Sequence, residues 1–297
     1  MKSDNSAAYA LLFFTTLFWA GNAVAGKLAV GHVSPMTLTM LRWLMAFSVL
    51  LIIGGRQAWA ERETLKKHLP MLMSYGVVGF AGFNITLYSA LNHTSAINVT
   101  IEQAAIPLLI FIGNFLFFRT KVTLGQIAGF SMTLLGVIVV ASNGSFERLA
   151  ALQFNRGDVF MVFAGIFYAA YSIMLKYKPA VHWKSLMVVM AFSAMITSIP
   201  FAMWELSTPQ GIAPDVRGWT VAAYTAIFPA IAAQVFYIKG IELIGPNRAG
   251  LFINLVPVLG TILAIIILGE AFGSHHGVAL VLVIGGIMLA ERMRARV

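Results

Sequence analysis

Glu102 is the one acid well inside a long apolar run of this chain. A charge at mid-membrane costs about 2.5–3.5 kcal/mol on insertion scales, so such a residue turns to a cavity or to a partner. Arg42 lies about two helical turns into another apolar run from the same face, which makes a Glu102–Arg42 pair geometrically possible. Two readings of Glu102 stand: proton or substrate handling, or an ion pair that locks two helices. A wider set of polar and aromatic residues shares these runs: Trp19, Asn22, Asn84, Tyr88, Gln103, Tyr168, Tyr171, Gln234, Tyr237 and Asn254. Asn, Gln and Tyr cannot hydrogen-bond to lipid tails, so they turn inward. With Glu102 they form the candidate binding set, suited to a small polar solute such as an amino acid. The alternative for each is a hydrogen bond between helices. Tyr75 and Tyr224, near the ends of runs, are expected to anchor at the membrane interface.

Other motifs imitate chemistry without its context. Gly21-Asn22-Ala23-Val24-Ala25-Gly26-Lys27 matches most of a phosphate-binding loop but has Leu28 where Ser or Thr would reach magnesium, and no strand precedes it. It reads better as a helix whose small residues allow close packing. His275 and His276 are adjacent, share no helical face and have no third ligand near in sequence, so no metal site is expected. Asn98-Val99-Thr100 falls within a run, where glycosylation is not expected. With zero cysteines there is no disulfide, thiolate metal site or cysteine nucleophile. His-Glu-x-x-His and Gly-x-Ser-x-Gly are missing, which argues against an enzyme. A channel would show charge rings or a filter loop, and a receptor or scaffold would bring an extramembrane domain. No cofactor is expected.

The elements that must position these residues follow from composition. Of 297 residues 59% are apolar and only 10% charged, with mean hydropathy +0.85. A soluble protein carries about a quarter charged residues. So few charges could not cover this surface in water, and the natural solvent is lipid. The net charge of +9 sits in short loops between apolar runs, which suits an anionic membrane face and not nucleic acid. A helix crosses the roughly 30 Å hydrocarbon core in about 20 residues. Runs near 8–29, 36–54, 69–91, 95–117, 123–142, 157–178, 184–204, 218–240, 247–268 and 274–291 predict an all-α membrane protein of ten transmembrane helices. Ala23-Val24-Ala25 resembles a signal-peptide cleavage site, but the apolar stretch is longer than a typical signal core and is expected to stay as the first span. Fifteen of the twenty Lys and Arg residues collect on one side of that topology, which places both termini in the cytoplasm.

The halves resemble each other at an offset near 149. Trp19 corresponds to Tyr168, Lys27 to Lys176, Tyr75 to Tyr224, Tyr88 to Tyr237, Pro107 to Pro257, and Gly125/Gly129 to Gly273/Gly277. Five spans per half is an odd number, so the repeats, at 1–145 and 155–297, are expected in opposite orientations. Inverted repeats supply two related shapes, one open to each side. Pro107 and Pro257 each fall mid-way in the fourth span of their half, and their matched depth marks them as candidate hinges. The two Gly-x-x-x-Gly elements allow close helix contact, expected within the chain.

Pro257…Leu268-Gly269-Glu270…Gly277…Gly285, with ten spans in two five-helix halves, resembles the EamA family of the drug/metabolite transporter superfamily over essentially the whole chain. It is most similar there to amino-acid exporters of the YddG type. The Leu-Gly-Glu element occurs only in the second half; the first has Arg119-Thr120 at that place. The resemblance implies two intertwined five-helix repeats around a central cavity, in a bacterial inner (plasma) membrane. It implies a secondary transporter exporting neutral or aromatic amino acids by alternating access; another metabolite or drug class, or a channel-like facilitator, is the alternative. The expected partners are the lipid bilayer and a small-molecule substrate, with the oligomeric state open.

Overall fold

The computed structural model describes residues 2–119, 123–145, 147 and 155–293, and among them every regular element is helical. Nine of these helices are long and apolar enough to cross a membrane. We number α1 (Lys2–Ala29), α2 (Pro35–Ala60), α3 (Leu69–Leu91), α4 (Ala96–Phe118), α5 (Leu124–Ala141), α6 (Arg156–Tyr177), α7 (Trp183–Ser207), α8 (Val216–Ile244), α9 (246–268) and α10 (Ser274–Arg292). The sequence predicts a tenth continuous span over 247–268. The structure instead divides α9 into Pro246–Ile253, Val256–Leu263 and the π-helical Ala264–Leu268, leaving only the shorter apolar helix Val256–Leu268. The cause is Pro257, which offers no N–H to the carbonyl four residues earlier and crowds that turn. Pro107 acts likewise in α4, which is interrupted between Ala96–Gln103 and Ile106–Phe118.

The second local device is a wide turn. α3 is π-helical over Gly76–Gly82 and α8 over Ala226–Ala232, with Pro229 inside the latter. Such bulges aim side chains that a regular helix would bury, and they concentrate at functional sites. The π segment of α3 is also a close crossing. A Cβ on Gly76 would lie 2.2 Å from the Met190 carbonyl oxygen of α7, and one on Gly79 would lie 2.3 Å from the Tyr171 ring of α6.

Packing joins the halves throughout. α2 runs along α7 and α5 along α10; α1 packs on α8 and α9, while α6 packs on α3 and α4. Reciprocal caps tie the α2–α7 pair. Glu205 of α7 accepts from the backbone N–H of Met36 and Thr37 at the start of α2, at 3.2 and 2.9 Å. Glu61, just after α2, accepts from the His182 N–H at the start of α7 at 3.1–3.2 Å. An anion at a helix N-terminus satisfies orphan donors and meets the positive end of the dipole. Asp215 caps α8 through the Gly218 N–H at 2.8 Å and meets His32 Nδ1 at 2.7 Å. That hydrogen bond to His32 holds the Asp215 carboxyl below the usual carboxylate range.

Tyr75 departs from its expected place at the membrane interface. It is fully buried, and its hydroxyl donates to the Met174 carbonyl at 2.9 Å, because the α3–α6 contact extends to the end of α3. Of the two Gly-x-x-x-Gly elements, the first serves the α5–α10 crossing. A Cβ on Gly129 would meet the Gly286 carbonyl oxygen at 2.4 Å, whereas one on Gly277 would meet only the Phe272 ring, at 3.7 Å. The partner of Gly129 is therefore Gly286. This contact separates two neighbouring glycines: Gly286→Ala drives a methyl to 2.4 Å from the Gly129 carbonyl oxygen, while Gly285→Ala meets only the Met132 methyl at 3.5 Å. Overpacking of rigid backbone costs about 1–3 kcal/mol. Gly286→Ala should therefore lower the detergent-solubilised melting temperature by several degrees and Gly285→Ala should leave it unchanged, as a thermal shift assay of both variants would show.

Candidate functional site

The breaks and wide turns converge on one cavity of about 230 Å³. α1 contributes Trp19 and Asn22, α2 Arg42 and Trp43, and the π segment of α3 contributes Gly79 and Phe80 with Phe83 and Asn84 beyond it. The interrupted stretch of α4 adds Thr100, Gln103 and Pro107; that of α9 adds Ile253, Asn254 and Pro257. Tyr168 comes from α6, and Pro229 and Gln234 from α8. Five aromatic residues, Trp19, Trp43, Phe80, Phe83 and Tyr168, stand in this wall. Trp43 and Phe80 stack face to face at 4.4 Å, and Phe83 and Tyr168 meet at 5.2 Å.

The wall carries one cation. Arg42 is buried, and its Nη1 donates to Asn22 Oδ1 and to the Tyr88 hydroxyl oxygen, while the Tyr88 hydroxyl donates to Asn22 Oδ1 at 2.9 Å. The guanidinium carbon lies 5.3 Å from the Trp43 ring centroid. Neutral groups and a π face therefore surround it, and no carboxylate of the described residues pairs with it. Among the described residues, three polar atoms of the wall have no hydrogen-bond partner: Arg42 Nε, Trp43 Nε1 and Asn84 Oδ1. Buried polar atoms are nearly always satisfied, so such a cluster calls for a binding explanation. Pro107 and Pro257 add a further acceptor capacity, since neither can supply an N–H to the carbonyls of Gln103 and Ile253, and all four residues line the cavity.

Of the eleven residues in the candidate binding set, seven line this cavity: Trp19, Asn22, Asn84, Gln103, Tyr168, Gln234 and Asn254, together with both candidate hinges. Four do not. Tyr88 stands behind the wall, holding Arg42 and Asn22. Tyr237 packs behind Trp19 at 5.3 Å, and Tyr171 sits between Phe80 and Tyr168 at 5.8 and 5.6 Å. Glu102 points away from the cavity toward Asp158 of α6, so the Glu102–Arg42 pair is not made. Sequence reading missed Trp43, Phe80 and Phe83, because aromatic residues in apolar runs look the same whether they face lipid or solute. Arg42 was visible, but only as a partner for an acid.

The near phosphate loop is a continuous stretch of α1. Gly21 lies against the Tyr224 hydroxyl and Gly26 against Tyr88 and Leu91, while Lys27 donates to the Leu91 and Thr94 carbonyls at 2.8 and 2.7 Å. Around that end the protein is tightly packed. Every residue of α4 from Ala96 to Glu102 is buried, and Glu270 accepts from the Ala96 and Ile97 N–H groups at 2.7 and 2.9 Å. The continuation Ile106–Phe118 has no buried residue.

The EamA-like transporter family model matches residues 6–142 and again 155–291. This chain belongs to the EamA-like transporter family. As a member it is a multi-pass membrane transporter. It is 26% identical to the uncharacterized transporter YyaM of Bacillus subtilis, with 95% of this chain and 93% of that one covered. It is 22% identical to a protein of Salmonella typhimurium named a probable amino-acid metabolite efflux pump, covering 94% and 93%. A crystal structure at 21% identity superposes with a TM-score of 0.63 over 99% of this chain and all of that one, a likeness of fold.

In this EamA-like transporter the Asn22–Arg42–Tyr88 cluster orients the cavity cation. Asn22→Leu strips an acceptor from both donors, and leaving a buried donor unsatisfied costs about 1–3 kcal/mol. Asn22→Leu should lower thermal stability, and adding Arg42→Met with Tyr88→Phe should restore most of the loss. A melting series over these variants checks that the three groups act as a unit.

Proposed function

We propose that this transporter exports neutral or aromatic amino acids by alternating access through the central cavity. The observation that carries the reading is the unopposed Arg42 guanidinium on an otherwise uncharged wall of amide, aromatic and aliphatic groups. A carboxylate is its natural complement, and a guanidinium suits carboxylates by its planar fork of donors. Asn84 Oδ1 and the carbonyls released by Pro107 and Pro257 are acceptors for an ammonium group, while Trp19, Trp43, Phe80, Phe83 and Tyr168 accommodate an apolar side chain. The name of the Salmonella relative agrees with this substrate class.

The halves 1–145 and 155–297 act as inverted repeats in this reading, with α9 completing ten spans. Support comes from the π segments at 76–82 and 226–232, the breaks at 104–105 and 254–255, and the exchange of the α1–α8 and α6–α3 contacts under a shift of five helices. Both termini are cytoplasmic and the Glu270 end faces outward from a bacterial inner membrane, following the basic loops. The sealed packing of Ala96–Glu102 then forms a closed outer gate, with the less packed half of α4 toward the cytoplasm. Pro107 and Pro257 are the hinges of the switch.

Topology is checked by fusions: a reporter after Val297 should read cytoplasmic, and one within 146–156, a loop mostly outside the described residues, should read external. A cytoplasmic signal from that loop would refute the inverted arrangement. For transport, a full amino-acid panel in proteoliposomes should show counterflow for apolar or aromatic members and none for their amides, whose carboxylate is masked. Arg42→Lys should weaken apparent affinity about 10–100-fold, the loss expected from a charged hydrogen bond worth about 1.5–3 kcal/mol. If no amino acid moves faster than in protein-free vesicles, the substrate assignment fails.

A further inference from the structure

Outside the central cavity, a second polar system runs from the Glu270 end into the protein. A vestibule of about 860 Å³ there is lined by residues that include Thr94, Asn98, Asn155, Glu270 and His276. His276 Nδ1 accepts from the Gly273 N–H at 2.9 Å, which leaves Nε2–H to donate to Asn98 Oδ1 at 3.2 Å. Asn98 Nδ2 donates to Thr94 Oγ1 at 3.1 Å, and Asn155 Nδ2 reaches the same oxygen at 3.5 Å. Asn155 and Asp158 cap each other reciprocally, each side chain accepting from the other's N–H at 3.0 Å.

Beyond Asp158 stands Glu102, and each carboxylate is only 7% exposed. No N–H or hydroxyl of any other residue donates to Glu102 Oε1, Glu102 Oε2 or Asp158 Oδ1. What faces them, where α4 packs on α6, is the other carboxyl. Ionised carboxylates are acceptors only, so two that face each other without a donor attract only when a proton lies between them. Among the described residues no base supplies a counter-charge, and Arg156, two residues before Asp158 on α6, is exposed. On the helices packed around α4, Lys27 of α1 is engaged by the Leu91 and Thr94 carbonyls, Glu270 after α9 by the Ala96 and Ile97 N–H groups, and His276 of α10 by Gly273 and Asn98. Tyr88 of α3 is held by Arg42 and Asn22, and α5 carries no titratable residue.

We propose that Glu102 and Asp158 form a proton-binding site, reached from the vestibule through the Thr94–Asn98–Asn155 network, that couples transport to proton movement. The coupling half rests on the transport reading above. Binding is simple proton transfer: hydronium in the vestibule gives its proton to one carboxylate and becomes water. Glu102 is on α4 and Asp158 on α6, so the bound proton bridges the two helices, whereas its loss leaves two like charges that must part. Proton occupancy is thereby linked to the closure of α4 onto α6. Glu102 also adjoins Gln103 on the cavity wall, which puts the site at the boundary between vestibule and cavity.

The test reads carboxyl vibrations of the full chain in lipid nanodiscs, by infrared difference spectroscopy between acidic and alkaline buffer, with the proton as the only ligand. The wild-type protein should show the C=O stretch of a buried carboxylic acid, sensitive to D2O, that is lost in Glu102→Gln and shifted in Asp158→Asn. A wild-type spectrum without that band, or a band unchanged in both variants, overturns the site. Displacement of the band by sodium, with choline as control, would make it a metal-cation site and overturn the proton assignment. If Glu102→Gln does not fold, the wild-type band and its shift in Asp158→Asn still decide. For coupling, an imposed pH gradient should accelerate amino-acid flux in wild-type proteoliposomes, and the ratio of rates with and without the gradient should fall to one in Glu102→Gln. An equal ratio in both overturns coupling. Absence of any wild-type amino-acid flux defeats the transport reading instead and leaves the infrared result intact.

Discussion

Backbone hydrogen bonding in a medium without water is the constraint on which the rest of this structure depends. Every N–H and C=O within the hydrocarbon must find a partner inside the protein, so the chain can leave helical geometry only where protein or a cavity receives the freed groups. The interruptions after Gln103 and Ile253 and the wide turns at 76–82 and 226–232 are where it does so, and residues of all four face one cavity. The sites that breach the rule are thus the sites that could bind. Elsewhere the helices are regular and make contact through glycine, as at the Gly129–Gly286 crossing, where backbone meets backbone.

The same medium governs charge. Arg42 and Glu102 could have neutralised each other, and an ion pair is the usual fate of two intramembrane charges. Here they are kept apart. Arg42 is held by an amide, a phenol and an indole face, none of which cancels its charge, and so its field reaches into the cavity. Glu102 is set against another acid, an arrangement that holds a proton more naturally than it holds two helices together. Arg42 on α2 and Glu102 on α4 are thus two separate buried charges, one on the cavity wall and one behind it.

The repeat gives the scaffold its economy, and the departures from it give it direction. Glu61 and Glu205 cap partner helices reciprocally, one at each end of the α2–α7 pair. Glu270 caps the start of α4, but at the corresponding place the first half has Thr120, outside the described residues, and no acid. Among the described residues this latch is made at the Glu270 end. Through it the buried stretch Ala96–Glu102 of α4 is tied to the segment that follows α9.

The sequence alone determined the class of the fold, the place of nearly every helix and the list of polar residues that had to turn inward. Hydropathy and period are local properties, and a residue such as Asn84 or Gln103 announces its burial by its own chemistry. The α9 break was legible only as a proline at matched depth, because propensity does not say whether neighbours will stabilise a kink or an interruption. What tertiary structure decided was azimuth: which inward-facing groups meet. Tyr88 and Asn84 are four residues apart on one helix, yet one stands behind the wall and the other on it. Glu102 faces Asp158 and not Arg42, and Gly129 meets Gly286 and not the second Gly-x-x-x-Gly, because helix rotation is fixed by all the neighbours packed around a helix and by no residue within it.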